Sequence, residues 1–224
     1  MTNIILVAGT YYGGWYWQDL AANLRAAGHQ VFTPTLTGLG DDSPSPVAID
    51  LDTHIRDIVN IIETNQLDEV VLVGWSYGGM VITGVAPHTS AQVKHLIYLD
   101  AAVPKSGQAE FDIIPEWLKQ KQLDECEDGL NQYPSAEFLQ YESRMKPHPI
   151  GTKSQPVVYD EAQFAAIAKT YLVADRDAAN GAFAELVKRI RTEPNWNFVH
   201  LPYGHDLYRD APAEVERVIL EAVG

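Results

Sequence analysis

The chain has 224 residues, 46% hydrophobic and 21% charged, which fits one globular domain with a substantial core. Its formal net charge of -14 argues against nucleic acid or an anionic membrane surface as a partner. The single cysteine, Cys126, excludes an intramolecular disulfide and a multi-cysteine metal site.

The first apolar run, residues 4–7, is short and lacks a basic flank, so it reads as a strand and not as a leader. No stretch approaches the ~20 apolar residues of a membrane span. A cytoplasmic location is the default expectation. A helix is predicted over 15–27, ended by Gly28, and a second strand over 30–33. Residues 51–64 carry Leu51, Ile55, Ile58 and Ile62 on one helical face. Strands follow at 70–73 and 95–99, with a helix over 78–86 between them. A strand at 170–174 precedes a helix over 178–190. A last strand at 196–201 precedes a helix over 212–223, with Pro212 suited to its first turn. This alternation predicts an α/β fold, with a parallel sheet of about six strands covered on both faces by helices. The alternation breaks between Pro104 and Lys169. That stretch is too long for a bare connection, and it holds Phe111, Trp117, Leu118, Phe138 and Tyr141. We read residues 1–224 as one domain, with 105–168 inserted as a small helical cap.

One stretch carries most of the chemistry. Val70-Val71-Leu72-Val73 runs into Gly74-Trp75-Ser76-Tyr77-Gly78, a G-x-S-x-G spacing between a strand and a helix. In such an elbow the chain turns sharply and lifts the serine hydroxyl above the sheet edge. Ser76 is therefore the candidate nucleophile. An oxyanion site needs backbone N–H groups aimed at a developing negative oxygen. Tyr77, directly after the serine, supplies one. The loop Ala8-Gly9-Thr10-Tyr11-Tyr12-Gly13-Gly14 supplies the second, for which Thr10 is the candidate. Its glycines lack G-x-G-x-x-G spacing and the second strand ends without an acid, which argues against a dinucleotide.

A serine nucleophile needs a general base. Of seven histidines, His205 stands just past the last strand, on the edge where Ser76 belongs. His29 and His54 read as surface or structural residues and His200 as a buried strand residue. His148 lies in the insertion, within possible reach of substrate. The base needs a carboxylate to fix its tautomer. Asp175, Asp177 and Asp100 all end strands at this edge, and Arg176 could pair with one of the first two.

With Leu6-Val7-Ala8-Gly9, Gly13-Gly14-Trp15-Tyr16-Trp17, Thr35-Leu36-Thr37-Gly38-Leu39-Gly40, the elbow and Tyr98-Leu99-Asp100-Ala101-Ala102, the chain resembles the α/β-hydrolase superfamily over nearly its whole length. It is most similar to the branch of plant methyl-ester esterases, hydroxynitrile lyases and related bacterial esterases. The resemblance implies strand order 2-1-3-4-5-6. It also favours Asp177, three residues beyond Ala174, as the triad acid. Two departures stand out: Ala8 where many members have histidine, which removes a polar support from the oxyanion loop, and Trp75 before the nucleophile. The activity implied is hydrolysis of a small-molecule ester by Ser76, His205 and Asp177, with no cofactor and no metal, by a monomer or homodimer. Tyr11, Tyr12 and the insertion aromatics, Trp117 among them, suggest a small, fairly apolar substrate. A lyase using the same triad is one alternative. Lyase members carry lysine after the catalytic histidine, to stabilise released cyanide, and Asp206 stands there in this chain. A non-catalytic binding protein on the same fold is another.

Overall fold

The computed structural model describes residues 1–41, 45–89, 93–132 and 142–224. Phe138 and Tyr141, two of the insertion aromatics, lie outside them. Six strands form the main sheet: β1 (Asn3–Val7), β2 (Gln30–Phe32), β3 (Val70–Trp75), β4 (Val93–Leu99), β8 (Ala168–Ala174) and β9 (Trp196–Leu201), in spatial order β2-β1-β3-β4-β8-β9. Every pairing among them is parallel. The order agrees with the one implied by the resemblance. All six residues of β3 are buried, as expected of a central strand covered on both faces.

Successive side chains of a strand point to opposite faces, so the sheet divides the core in two. Ile5 and Val7 pack with α2 (Leu51–Thr64) and α3 (Gly78–His88), and Ile4 and Leu6 pack with α1 (Gln18–Ala26) and the terminal helix Pro212–Val223. Each such fully buried aliphatic side chain contributes about 1.5–3 kcal/mol. Helix α2 begins on a capping box, in which Asp50 accepts from the Thr53 N–H at 2.9 Å. It buries Leu51, Ile55, Ile58 and Ile62, the face legible in the sequence, and His54 with them. Helix α3 is buried over residues 78–86, consistent with its lack of a polar face. The 15–27 segment starts as a 3-10 turn, Gly14–Trp17, before α1.

Between β4 and β8 the chain forms α4 (Glu116–Asp124), a small antiparallel sheet of β5 (Cys126–Glu127), β6 (Leu130–Asn131) and β7 (His148–Pro149), and two short helices, Gly151–Ser154 and Glu161–Ala166. The sheet register aligns Val7 with Gly74, Trp75 with Leu99, and Ala174 with Leu201. The loops after β1, β3, β4, β8 and β9 therefore leave one edge together, the crevice where parallel α/β sheets hold ligands. Among the described residues, no helix is long and apolar enough to cross a membrane.

Candidate active site

Strand β3 ends in a tight turn with Ser76 at φ +55°. This left-handed conformation costs a non-glycine residue about 1–3 kcal/mol and persists only where its surroundings enforce it. The flanking glycines make the turn possible. A Cβ on Gly74 would stand 2.7 Å from the Gly78 carbonyl oxygen, and one on Gly78 would stand 2.6 Å from that of Val7.

The Ser76 hydroxyl lies 3.0 Å from Nε2 of His205. Nδ1 of His205 lies 2.7 Å from the Asp100 carboxylate. An ionised carboxylate only accepts, so Nδ1 carries the proton and Nε2 is free to accept from the serine. This is the tautomer a general base requires. Asp100 is 8% exposed, directly follows β4, and is turned towards the site by φ +38°.

Asp177, expected as the triad acid, is placed differently. Its carboxylate accepts the backbone N–H of His205 at 2.8 Å and not the imidazole. A tight turn holds it there, with the Asp177 N–H on the Ala174 carbonyl at 3.1 Å and the Gly181 N–H on the Asp177 carbonyl. Asp175 pairs with His200 at 2.7 Å, well away on the surface. His200 is thus exposed and not buried as predicted. Arg176 pairs with Asp210, not with either aspartate beside it.

Trp75 has a physical explanation. Its indole N–H donates to the His205 carbonyl at 2.9 Å, and its ring stacks on Tyr16 at 4.7 Å. The backbone and side chain of His205 are thus held at four atoms, by Asp177, Trp75, Asp100 and Ser76. Such fourfold support keeps an imidazole in a reactive geometry.

The loop after β1 crosses close to the nucleophile: a Cβ on Gly9 would lie 2.9 Å from that of Ser76. The backbone N–H groups of Thr10 and Tyr77 have no acceptor among the described residues. Ser76 opens on a cavity of about 400 Å³ whose exposed wall is largely apolar, from side chains such as Tyr11, Tyr12, Ile114, Leu118 and Phe183, with Glu110, Lys121, Glu125 and Asp206 also on it. Tyr11, expected as a substrate contact, is on the cavity wall. Trp117 does not: it is 62% exposed on α4 and does not line the cavity.

His148 and His54 lie behind this wall, both fully buried. The Thr152 hydroxyl donates to the Pro149 carbonyl at 2.7 Å, so it accepts from His148 Nε2 at 3.0 Å. His148 Nδ1 is then an acceptor, facing the Tyr11 N–H at 3.4 Å. His54 donates from Nε2 to the Thr37 carbonyl at 2.8 Å and accepts the Tyr77 hydroxyl proton at Nδ1. Both rings are neutral. Burial pushes His148 well below its ordinary pKa, with Lys153 and His54 adding to the effect, and burial lowers His54 as well.

Sequence reasoning weighed Asp100 but ranked it behind Asp177. It missed the anchoring role of Trp75, because a strand pattern does not reveal which neighbouring loop an indole will reach.

Comparison with known proteins agrees with this architecture. The chain is 37% identical over 237 aligned residues to the carbendazim hydrolyzing esterase of Nocardioides sp. (strain SG-4G), covering 96% of this chain and 97% of that protein. It is 30% identical to alpha-hydroxynitrile lyase of Arabidopsis thaliana over 56% of this chain and 50% of that one. The solved structure of an extracellular alpha/beta-hydrolase from a Paenibacillus species matches with a TM-score of 0.81 over 99% of both chains, at 21% identity. With the pattern of the alpha/beta hydrolase family matched over residues 4–218, the chain belongs to that family.

Proposed function

We propose that this chain is a serine carboxylesterase acting on a small, largely uncharged ester. The observation that carries the reading is the hydrogen-bonded run from Asp100 through His205 to Ser76, opening on an apolar cavity. In this reading Ser76 Oγ attacks the ester carbonyl carbon as His205 Nε2 takes its proton. The carbonyl oxygen becomes an oxyanion, received by the N–H groups of Thr10 and Tyr77. Asp100 stabilises the imidazolium. The tetrahedral intermediate collapses, the C–O bond to the leaving group breaks, and His205 protonates the departing alcohol. Water then repeats the sequence on the acyl-enzyme and releases the acid and free Ser76. The insertion acts as a cap in this reading, with Ile114, Leu118, Lys121 and Gln122 on one wall of the cavity.

Likeness to an esterase over nearly the full length supports hydrolysis. So does the side chain after the base. Asp206 accepts from the Tyr16 hydroxyl and pairs with Arg209 at 3.4 Å, and a carboxylate at this rim opposes release of an anion such as cyanide. The test is steady-state turnover of p-nitrophenyl acetate, butyrate and benzoate. We expect saturable hydrolysis of all three; no turnover above the buffer rate would overturn the reading.

A further inference from the structure

One buried ion pair is left without a role by the triad. Lys153, from the short helix Gly151–Ser154, has no exposed side-chain surface, and its ammonium lies 3.0 Å from the carboxylate of Glu110, itself 4% exposed. Burying two charges is costly even when they are paired, and replacing such a pair by apolar groups is often neutral or stabilising. Its position therefore needs an explanation beyond stability.

The second contact of the ammonium supplies one. Lys153 Nζ donates to Thr10 Oγ1 at 2.9 Å, and it sits 5.7 Å from the ring centre of Tyr77. The ammonium thus bonds the side chain of one residue proposed to receive the oxyanion and faces the ring of the other. The same segment grips the next residue twice. The Tyr11 N–H faces His148 Nδ1 at 3.4 Å, and the Lys146 N–H donates to the Tyr11 carbonyl at 3.1 Å. The loop being held is bounded by Gly9, Gly13 and Gly14, which do little to fix its path.

We propose that Lys153 is a positioning residue for the oxyanion site: clamped by Glu110, it fixes Thr10 against Ser76 and sets a positive charge behind the developing anion. It takes over the polar support that Ala8 does not give. The inference rests on the serine-esterase reading above. It assigns a task in catalysis to a side chain far from the nucleophile in sequence.

Two variants test it, Lys153→Met and the double variant Lys153→Met/Glu110→Gln. The second removes the orphaned carboxylate that the first would leave buried. Where acylation limits turnover, misplacing a catalytic donor costs roughly 10- to 100-fold. We expect that loss in kcat for both variants, with KM within about threefold. Inhibition by a trifluoromethyl ketone, which forms a tetrahedral anion, should weaken by the same factor. Folding is checked by thermal melting. Wild-type kcat in either folded variant would overturn the proposal. So would recovery of kcat in the double variant, because the loss would then come from the orphaned charge. Ser76→Ala is measured alongside: if it keeps full activity, the esterase reading fails and this proposal with it. If it is inactive while the Lys153 variants are not, the proposal alone fails.

Discussion

Asp100→Asn is expected to lower kcat/KM for ester hydrolysis by about 10³- to 10⁴-fold, the scale on which a triad carboxylate acts when geometry is kept but the tautomer is lost. An amide at this place can turn its NH2 towards His205. Nδ1 would then have to accept, the proton would move to Nε2, and no acceptor would face Ser76. At 10⁴-fold the barrier rises by about 5.5 kcal/mol. Asp177→Asn is expected to cost less than about tenfold, because an amide oxygen still accepts the His205 backbone N–H, a neutral hydrogen bond of about 1 kcal/mol. The paired measurement separates the two aspartates that chain order alone leaves equivalent. A larger loss in Asp177→Asn than in Asp100→Asn would contradict the assignment.

Acid is expected to destabilise the fold well above the carboxylate range. His148 and His54 are held neutral in the core, with folded pKa values lowered mainly by burial, whereas the unfolded value is about 6.5. Below that value the unfolded chain binds more protons than the folded one, so stability falls as pH falls. The stability these rings lend is fully present above about pH 7 and is lost progressively below about 6.5. A ring that stays neutral through this window contributes a slope of at most about 1.4 kcal/mol per pH unit. His95, lowered by burial and by Lys169 and Lys94, adds in the same direction. The free energy of unfolding in urea should therefore be lower at pH 5 than at pH 7. His148→Gln, which cannot titrate, should flatten the slope by up to one proton. An unfolding free energy that does not change over this range would show that these rings are not held neutral.

Much of the fold was legible because its central strands are buried on both faces and the 51–64 and 212–223 helices on one. The predicted bounds of the 51–64 and 212–223 helices and of the last strand agree with the structure. Where local pattern and tertiary context diverged, context won. The helix predicted from 178 begins at Ala184, because the turn that carries Asp177 occupies residues 174–181. The two-residue strands β5, β6 and β7 have no sequence signature, since their pairing depends on segments that meet only in the folded chain.

The site divides in the same way. That Ser76 and His205 meet was legible because motif and chain order say which loops reach this edge. Asp100 and Asp177 both reach it, and sequence position does not say which carboxylate points at an imidazole. That depends on the left-handed backbone at Asp100 and the tight turn at Asp177. Trp117 reads as a ligand contact by residue type, but its place on α4 exposes it. Lys153 stood in a segment with no motif, and only the packing of that segment on the loop after β1 brings its ammonium to Thr10.

The central claim is that Ser76 is an activated nucleophile. Treatment with a fluorophosphonate, followed by peptide mass mapping, tests it most directly. We expect one phosphonate per chain, on Ser76, with loss of esterase activity in step with labelling. Ser76→Ala should take up no label and lose about 10⁴- to 10⁶-fold in kcat while its melting behaviour is kept. Label on another residue, or an unlabelled wild-type chain that still turns over ester, would contradict the account.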